Sequence, residues 1–304
     1  LHIPDNFLSI FVVTLCWIIT IITLYFAISK TNQSLGEKQI PLMGVMAAFI
    51  FAAQMINFPV LFGTSGHLLG GALAAIVLGP WAGMLVMTAV IALQALLFQD
   101  GGLAVMGANI LNMGIITSAI GYGLYRFVSR SSKPVKLGVT GFAAWLSVMA
   151  GALLTALQLG LSGTSPFAVV MPALLGFHAL IGVGEALITV AALSFIMQTR
   201  PDLLGEGSES AKASRNWIYA GGIISLLVVL ISPFASGDPD GLERVAIDLG
   251  FIDIGQDAPY SIIPDYTLPL LGETALSTIV AGVVGIAVVA AIMVLVGRGL
   301  KAKS

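Results

Sequence analysis

The chain has 304 residues, of which 58% are hydrophobic and only 9% charged, with a formal net charge of −2. Mean hydropathy is +1.01. Soluble proteins average roughly 25% charged residues, so this chain cannot cover a water-facing surface, and a soluble enzyme and a disordered chain are both excluded. The 35 glycines show no three-residue period, which excludes collagen and suits closely packed membrane helices. With no basic cluster, nucleic acid is not an expected partner. Cys16 stands alone and cannot form an intrachain disulfide. The expected fold class is all-α, a polytopic helical membrane protein.

A span needs about 20 mostly apolar residues. Apolar runs lie at 8–28, 41–60, 81–98, 104–127, 138–160, 171–197, 216–233 and 270–297, with a shorter one at 66–79 closed by Gly79-Pro80. Reading 66–98 as one helix would give roughly 33 residues and 50 Å, too long for a core of about 30 Å, with Pro80 removing a donor in its middle. Splitting it gives about nine transmembrane helices, with the N-terminus outside and the C-terminus inside. Every Lys and Arg except Arg244 then faces the cytoplasm, including Arg126, Arg130, Lys133 and Lys136 in one loop, and Arg200, Lys212, Arg215, Lys301 and Lys303. The opening has no basic n-region and no small-residue cleavage site, so residue 1 is expected to stay the N-terminus. No GxxxxGK[ST] loop occurs, so ATP is not hydrolysed by that route.

The stretch 234–268 is external by this topology. It carries Asp238, Asp240, Glu243, Asp248, Asp253, Asp257 and Asp265 against Arg244 alone, and most of these read first as a solvated acidic loop. Residues 201–215 (Pro201, Gly205, Gly207, Ser208 and Ser210 among them) have the composition of a cytoplasmic hinge. The organisation expected is a membrane domain of about seven helices over 1–200, a linker over 201–215 and a two-helix unit over 216–304.

Histidine occurs three times, as His2, His67 and His178. A chain opening X-His offers the α-amine, the deprotonated amide nitrogen of residue 2 and the imidazole as one planar set. A fourth nitrogen would complete a square plane suited to Ni(II) or Cu(II). His67, in Gly63-Thr64-Ser65-Gly66-His67, stands at the external mouth of the short third helix and could supply it. An X-His opening is nevertheless common and usually inert, and a histidine at a membrane helix end is more often an interfacial hydrogen-bonding residue. His178 and Glu185 lie seven apart on one face of the 171–197 helix. They could serve the surroundings of a site, a proton path or helix glue, the last being the ordinary reading. Gln54 and Asn57 read similarly.

Leu1-His2-Ile3-Pro4-Asp5 is similar to the MHIPDG opening of the cobalt/nickel substrate-capture proteins of energy-coupling-factor transporters, the CbiM/NikM family. The resemblance continues through Pro41–Phe49, Phe51–Pro59, Gly63–Gly71, Leu78–Gly83, Gln94–Phe98, Asp100–Gly102 and Gly107–Gly114. It covers about residues 1–200. Pro239-Asp240-Gly241-Leu242-Glu243 further resembles the PDGLE signature of the small companion subunit (NikN/CbiN-like), here fused to the capture unit.

The resemblance implies a site and a mechanism. The N-terminal segment tucks into the bundle from outside, and the ion is held by the amine of Leu1, the amide nitrogen and imidazole of His2, and His67. The transported Ni(II) or Co(II) is cargo, and no enzyme cofactor is expected. The implied partners are a transmembrane coupling protein (CbiQ/NikQ-like) and ATPase subunits (CbiO/NikO-like), in the cytoplasmic membrane of a bacterium or archaeon, serving cobalamin synthesis or a nickel enzyme. Leu1 stands where the family has Met, which a backbone ligand tolerates. Asn6 replaces the family's Gly, and Asn also accepts positive φ. Asp5, Ser65, Asn109 and Asn112 are candidates for orienting the ligands, the two asparagines sharing a helix face at i,i+3, or else ordinary interhelical glue. A reading from another class is a rhomboid-like intramembrane serine protease with Ser65 of the GxSG as nucleophile and His178 as base. It leaves His2 and His67 without a role.

Overall fold

The computed structural model describes residues 1–36, 38–204 and 216–301. Lys212, Arg215, Lys303 and the hinge over 205–215 lie outside the described residues. The membrane unit begins with α1 (Ile10–Ser34) and α2 (Gln39–Gln54), then two short strands, β1 (Phe58–Val60) and β2 (Thr64–Gly66). These are followed by α3 (Gly71–Leu78), α4 (Pro80–Leu93), α5 (Met106–Asn109), α6 (Thr117–Phe127), α7 (Lys133–Ser162) and α8 (Phe167–Thr199). After the hinge come α9 (Asn216–Ile231), α10 (Gly241–Asp248) and α11 (Ala275–Lys301). Among the described residues, six helices are long and apolar enough to cross a membrane: Ile10–Gln33, Pro80–Phe98, Lys133–Ser162, Phe167–Thr199, Asn216–Phe234 and Ala275–Lys301. Large apolar side chains such as Phe11, Phe142, Leu187 and Phe195 point outward, as lipid-facing positions do.

Several expected spans take other forms. The apolar run over 41–60 is helical only to Gln54, because Phe58 precedes a proline and Pro59 has no N–H to continue the ladder. It turns instead into an antiparallel hairpin pairing Phe58 with Gly66 and Val60 with Thr64, with Phe62 and Gly63 in left-handed conformation at its tip. The 66–79 segment is helical only over Gly71–Leu78, all eight residues buried. At about 1.5 Å per residue that helix is near 12 Å long, so this segment enters the bundle as strand and short helix rather than as a full-length helix. Residues 106–127 form one helix whose middle, Ile110–Ile116, is a wide π-turn, and α4 ends in another at Gln94–Phe98. Such turns frequently accompany functional sites, and here both flank the N-terminal segment.

α2 is clasped by the companion helices α9 and α11. At Gly285 of α11 a Cβ would fall 2.1 Å from the ring of Phe51, so only glycine lets the two helices approach this closely. The stretch 234–268, expected as an external solvated loop, is largely packed structure. α10 buries Leu242, Val245 and Ala246, and Ile263 is buried nearby. Its polar side keeps the expected exposure, with Arg244 and Asp248 paired at i,i+4.

Candidate metal centre

The first seven residues run into the bundle, with Leu1, Ile3 and Phe7 buried. Asn109 holds Ile3 at both ends of its peptide: Ile3 N–H donates to Asn109 Oδ1 at 2.9 Å, and Asn109 Nδ2 donates to the Ile3 carbonyl at 3.1 Å. That carbonyl also accepts from Gly102 N–H at 2.9 Å. Asp5 accepts three backbone N–H groups just before α5, from Leu103 at 3.0 Å, Ala104 at 2.9 Å and Val105 at 3.1 Å. A carboxylate there also faces the positive end of a helix. A Cβ on Gly102 would lie 2.2 Å from Asp5 Oδ1 and 2.4 Å from Asp5 N, so this seat requires glycine. Asn6 makes the turn at φ 71°.

His2 and His67 stack with ring centroids 5.1 Å apart and planes 21° from parallel. His67 is 6% exposed. Its Nδ1 lies 2.9 Å from the Leu68 carbonyl. A carbonyl only accepts, so Nδ1 carries the ring proton and Nε2 presents a lone pair. That buried Nε2 has no hydrogen-bond partner among the described residues. The loop behind it is fixed from two sides: Glu185 of α8 accepts from Leu69 N–H at 2.6 Å and Gly70 N–H at 2.9 Å, and Gln54 of α2 donates to the Leu69 carbonyl at 2.7 Å.

The His2 side chain is 8% exposed, with Nδ1 3.1 Å from Asp100 Oδ1. Its Nε2 lies 3.3 Å from Gln94 Oε1. Tyr266, from the companion unit, donates to Asp100 Oδ2 at 2.7 Å and accepts from Gln94 Nε2 at 3.2 Å. Burial, and then the Asp100 carboxylate, push the Tyr266 phenol up, which keeps it a neutral donor. Burial pulls the His2 imidazole down against the opposing pull of Asp100. Asp265 and Tyr266 both take positive φ, 48° and 58°, a strained backbone of the kind that clusters at functional sites.

The N-terminal amine of Leu1 donates to Asp240 Oδ2 at 2.8 Å. Asp240 is the N-cap of α10, its Oδ1 accepting from Leu242 N–H at 2.7 Å and Glu243 N–H at 2.8 Å, and Glu243 returns the bond to the Asp240 N–H at 3.2 Å. Burial opposes ionisation of Asp240, yet the ammonium beside it, His67 and the backbone donors of α10 hold its carboxyl well below the usual carboxylate range. The turn is bound to β2 by Ser65, whose N–H donates to the Pro239 carbonyl at 2.8 Å and whose hydroxyl donates to the Asp238 carbonyl at 2.7 Å. A cavity of about 10 Å³ remains between Leu1, His67, His178 and Asp240. That is the room of one water-sized sphere. His178 forms one wall, its Nδ1 2.7 Å from the Leu174 carbonyl.

Leu1, His2 and His67 therefore come together, and Asp5, Ser65 and Asn109 each brace the pieces that carry them. Asn112 does not join them. It exchanges hydrogen bonds with Gln158 of α7 at 2.7 and 2.8 Å and donates to Thr155 at 3.1 Å. The π-turn starting at Ile110 adds a residue to the register, so the i,i+3 face shared in a regular helix is lost. The Ser65 hydroxyl serves the Asp238 carbonyl, and among the described residues no hydrogen bond joins it to His178. No three His, Cys, Asp or Glu side chains among the described residues converge on an ion by themselves.

Residues 2–203 match the family described as the cobalt uptake substrate-specific transmembrane region, CbiM. The chain belongs to the CbiM family. Residues 215–302 match the PDGLE domain, so the chain carries both units. It is a multi-pass membrane protein related to nickel and cobalt transport proteins. A NikMN protein of Archaeoglobus fulgidus, named for fused nickel transport, is 36% identical over 96% of each chain. The cobalt transport protein CbiM of Sorangium cellulosum is 36% identical over 60% of this chain and 83% of its own. A crystal structure described as a truncated transition metal transporter superimposes with a TM-score of 0.59 at 33% identity, covering 65% of this chain and 99% of that one.

Asp240, Asp100, Gln94 and Tyr266 contribute to this arrangement beyond the candidate ligands and braces named from sequence, and Glu185 and Gln54, read from sequence first as helix glue, hold the loop behind His67. Asp240-Gly241-Leu242-Glu243 does spell a capping box, with an acceptor at N-cap and Glu three residues on. Nothing local signals that the capped end meets residue 1.

Proposed function

We propose that the chain is the substrate-capture component of an energy-coupling-factor importer that binds Ni(II) or Co(II) and carries it across the cytoplasmic membrane. The ligands are the Leu1 amine, the amide nitrogen and imidazole of His2, and His67 Nε2. The observation that carries this reading is the lone pair of His67: a buried nitrogen without a hydrogen-bond partner among the described residues, on a ring stacked on His2 and lining a water-sized cavity it shares with Leu1. Leaving such a nitrogen unpaired costs about 1–3 kcal/mol, which ligation would recover. A dication cannot enter hydrocarbon with its water shell, and four nitrogens replace that shell while burying little formal charge. Closing a six-membered chelate ring with its own amide uses Nδ1 of His2, so loading turns this nitrogen from Asp100 to the ion. Gln94, Asp100 and Tyr266 then orient the ring from outside.

In this reading residues 1–200 are the capture domain and 216–304 the companion that assists loading in cis, joined by the cytoplasmic hinge 201–215. The N-terminus lies outside and the C-terminus inside, across about nine membrane passages. A separate coupling protein and a pair of ATPases supply the energy, and the chain itself catalyses no reaction. The acidic external stretch raises the local cation concentration.

The test is titration of Ni(II) and Co(II) into purified full-length protein beginning at Leu1, beside a copy with one residue added before it. The proposal expects the addition to abolish tight binding. Equal binding by both forms would sink the N-terminal chelate.

A further inference from the structure

The PDGLE turn does more than cover the site, because its first acid touches a ligand. Asp240 has about four lone-pair positions to offer. Oδ1 spends two on Leu242 and Glu243 N–H, whereas Oδ2 has only the Leu1 ammonium. The same carboxylate lines the cavity with His67, whose Nε2 has no partner. Its side chain is 18% exposed and that of Leu1 1%. Asp240 thus touches the amine while part of its side chain remains exposed. The turn cannot be swapped for another of similar charge: a Cβ on Gly241 would lie 2.8 Å from His178 Cε1 and 2.8 Å from Ile181 Cδ1, so glycine lets it sit against α8.

Accepting the amine–His2–His67 site as the destination, we infer that Asp240 is the entry ligand, whose Oδ2 exchanges the Leu1 ammonium for the incoming dication and hands the ion to the nitrogens. An anionic carboxylate raises the local concentration of the hydrated dication, which must shed water to enter a cavity of about 10 Å³. Transfer to nitrogen follows, because imidazole and amine suit Ni(II) and Co(II) better than a lone carboxylate does. The step balances: the amine and the His2 amide each give up one proton to solvent, the ion gains two nitrogens in their place, and Asp240 returns to its cap. In the empty protein the same ion pair holds residue 1 at the mouth of the site. Asp240 therefore speeds entry without belonging to the final ligand set.

The test is stopped-flow Ni(II) binding to the full chain with its N-terminus beginning at Leu1, comparing the wild type with Asp240→Asn and Asp240→Ser. Asn and Ser also cap helices, so α10 is retained in both, and circular dichroism checks the fold. The expected result is an association rate at least about tenfold lower in both variants. Asp240→Glu, which keeps a carboxylate, should recover part of the rate. An unchanged rate with weakened affinity would make Asp240 a structural cap only, and a faster rate would make it a plain block. Either would overturn the inference while leaving the nitrogen site standing. Failure of the wild type itself to bind would instead sink the metal site.

Discussion

Two asparagines three residues apart make the sharpest contrast in the molecule. Asn109 bonds both ends of the Ile3 peptide, next to His2, whereas among the described residues the Asn112 side chain bonds only to α7. In Asn109→Ala the Ile3 carbonyl keeps Gly102 N–H, but the Ile3 N–H is left buried and unpaired. An orphaned buried donor costs about 1–3 kcal/mol, and the lost amide–carbonyl bond about 1 more. If binding requires the seated segment, the apparent affinity falls by up to about 2–4 kcal/mol, roughly 30- to 700-fold. Asn112→Ala loses three hydrogen bonds between helices and should lower thermal stability, yet change nickel affinity by less than about threefold. Isothermal titration with nickel, alongside thermal unfolding of both variants, reads this directly. Equal weakening of binding by the two variants, or normal binding by Asn109→Ala, would refute the seating argument.

Further outcomes follow from the same contacts. Gly102→Ala places a methyl 2.2 Å from Asp5 Oδ1; it should expel the N-terminal segment and abolish metal binding while the helical bundle stays folded by circular dichroism. Tyr266→Phe removes the hydroxyl that bonds Asp100 and Gln94, and nickel affinity should fall about tenfold as the His2 ring loses its brace. Each nitrogen must be deprotonated to bind the ion, so nickel affinity should rise with pH and fall as pH drops. A slope near zero in titrations at several pH values would contradict amide and amine ligation.

Much of this was legible in the chain. Low charge and long apolar runs specify an all-α membrane protein, and the X-His opening with a second histidine at an external mouth brings His2 and His67 into view. Asn6 could be read too, since a turn after Pro4 needs a residue that tolerates positive φ. What was not legible depends on contacts between distant segments. Apolar periodicity does not distinguish a full-length helix over 41–60 from a helix that breaks at Gln54 into a hairpin, because both bury the same residues. The π-turn at Ile110 moves Asn112 off the face of Asn109 by an insertion that no local residue announces. Asp240 reads as one acid in a water-exposed loop until α10 folds and carries it to residue 1, 239 positions away. Burial of Leu242, Val245 and Ala246 drives that docking, and these three are too few to stand out in a chain so apolar.

The most direct test of the central claim is nickel K-edge X-ray absorption on the loaded full-length protein beginning at Leu1. The account predicts four nitrogen neighbours in one plane, with the pre-edge signature of square-planar Ni(II), and loss of that signature in His67→Ala. A six-coordinate, oxygen-dominated nickel in the wild type would contradict it.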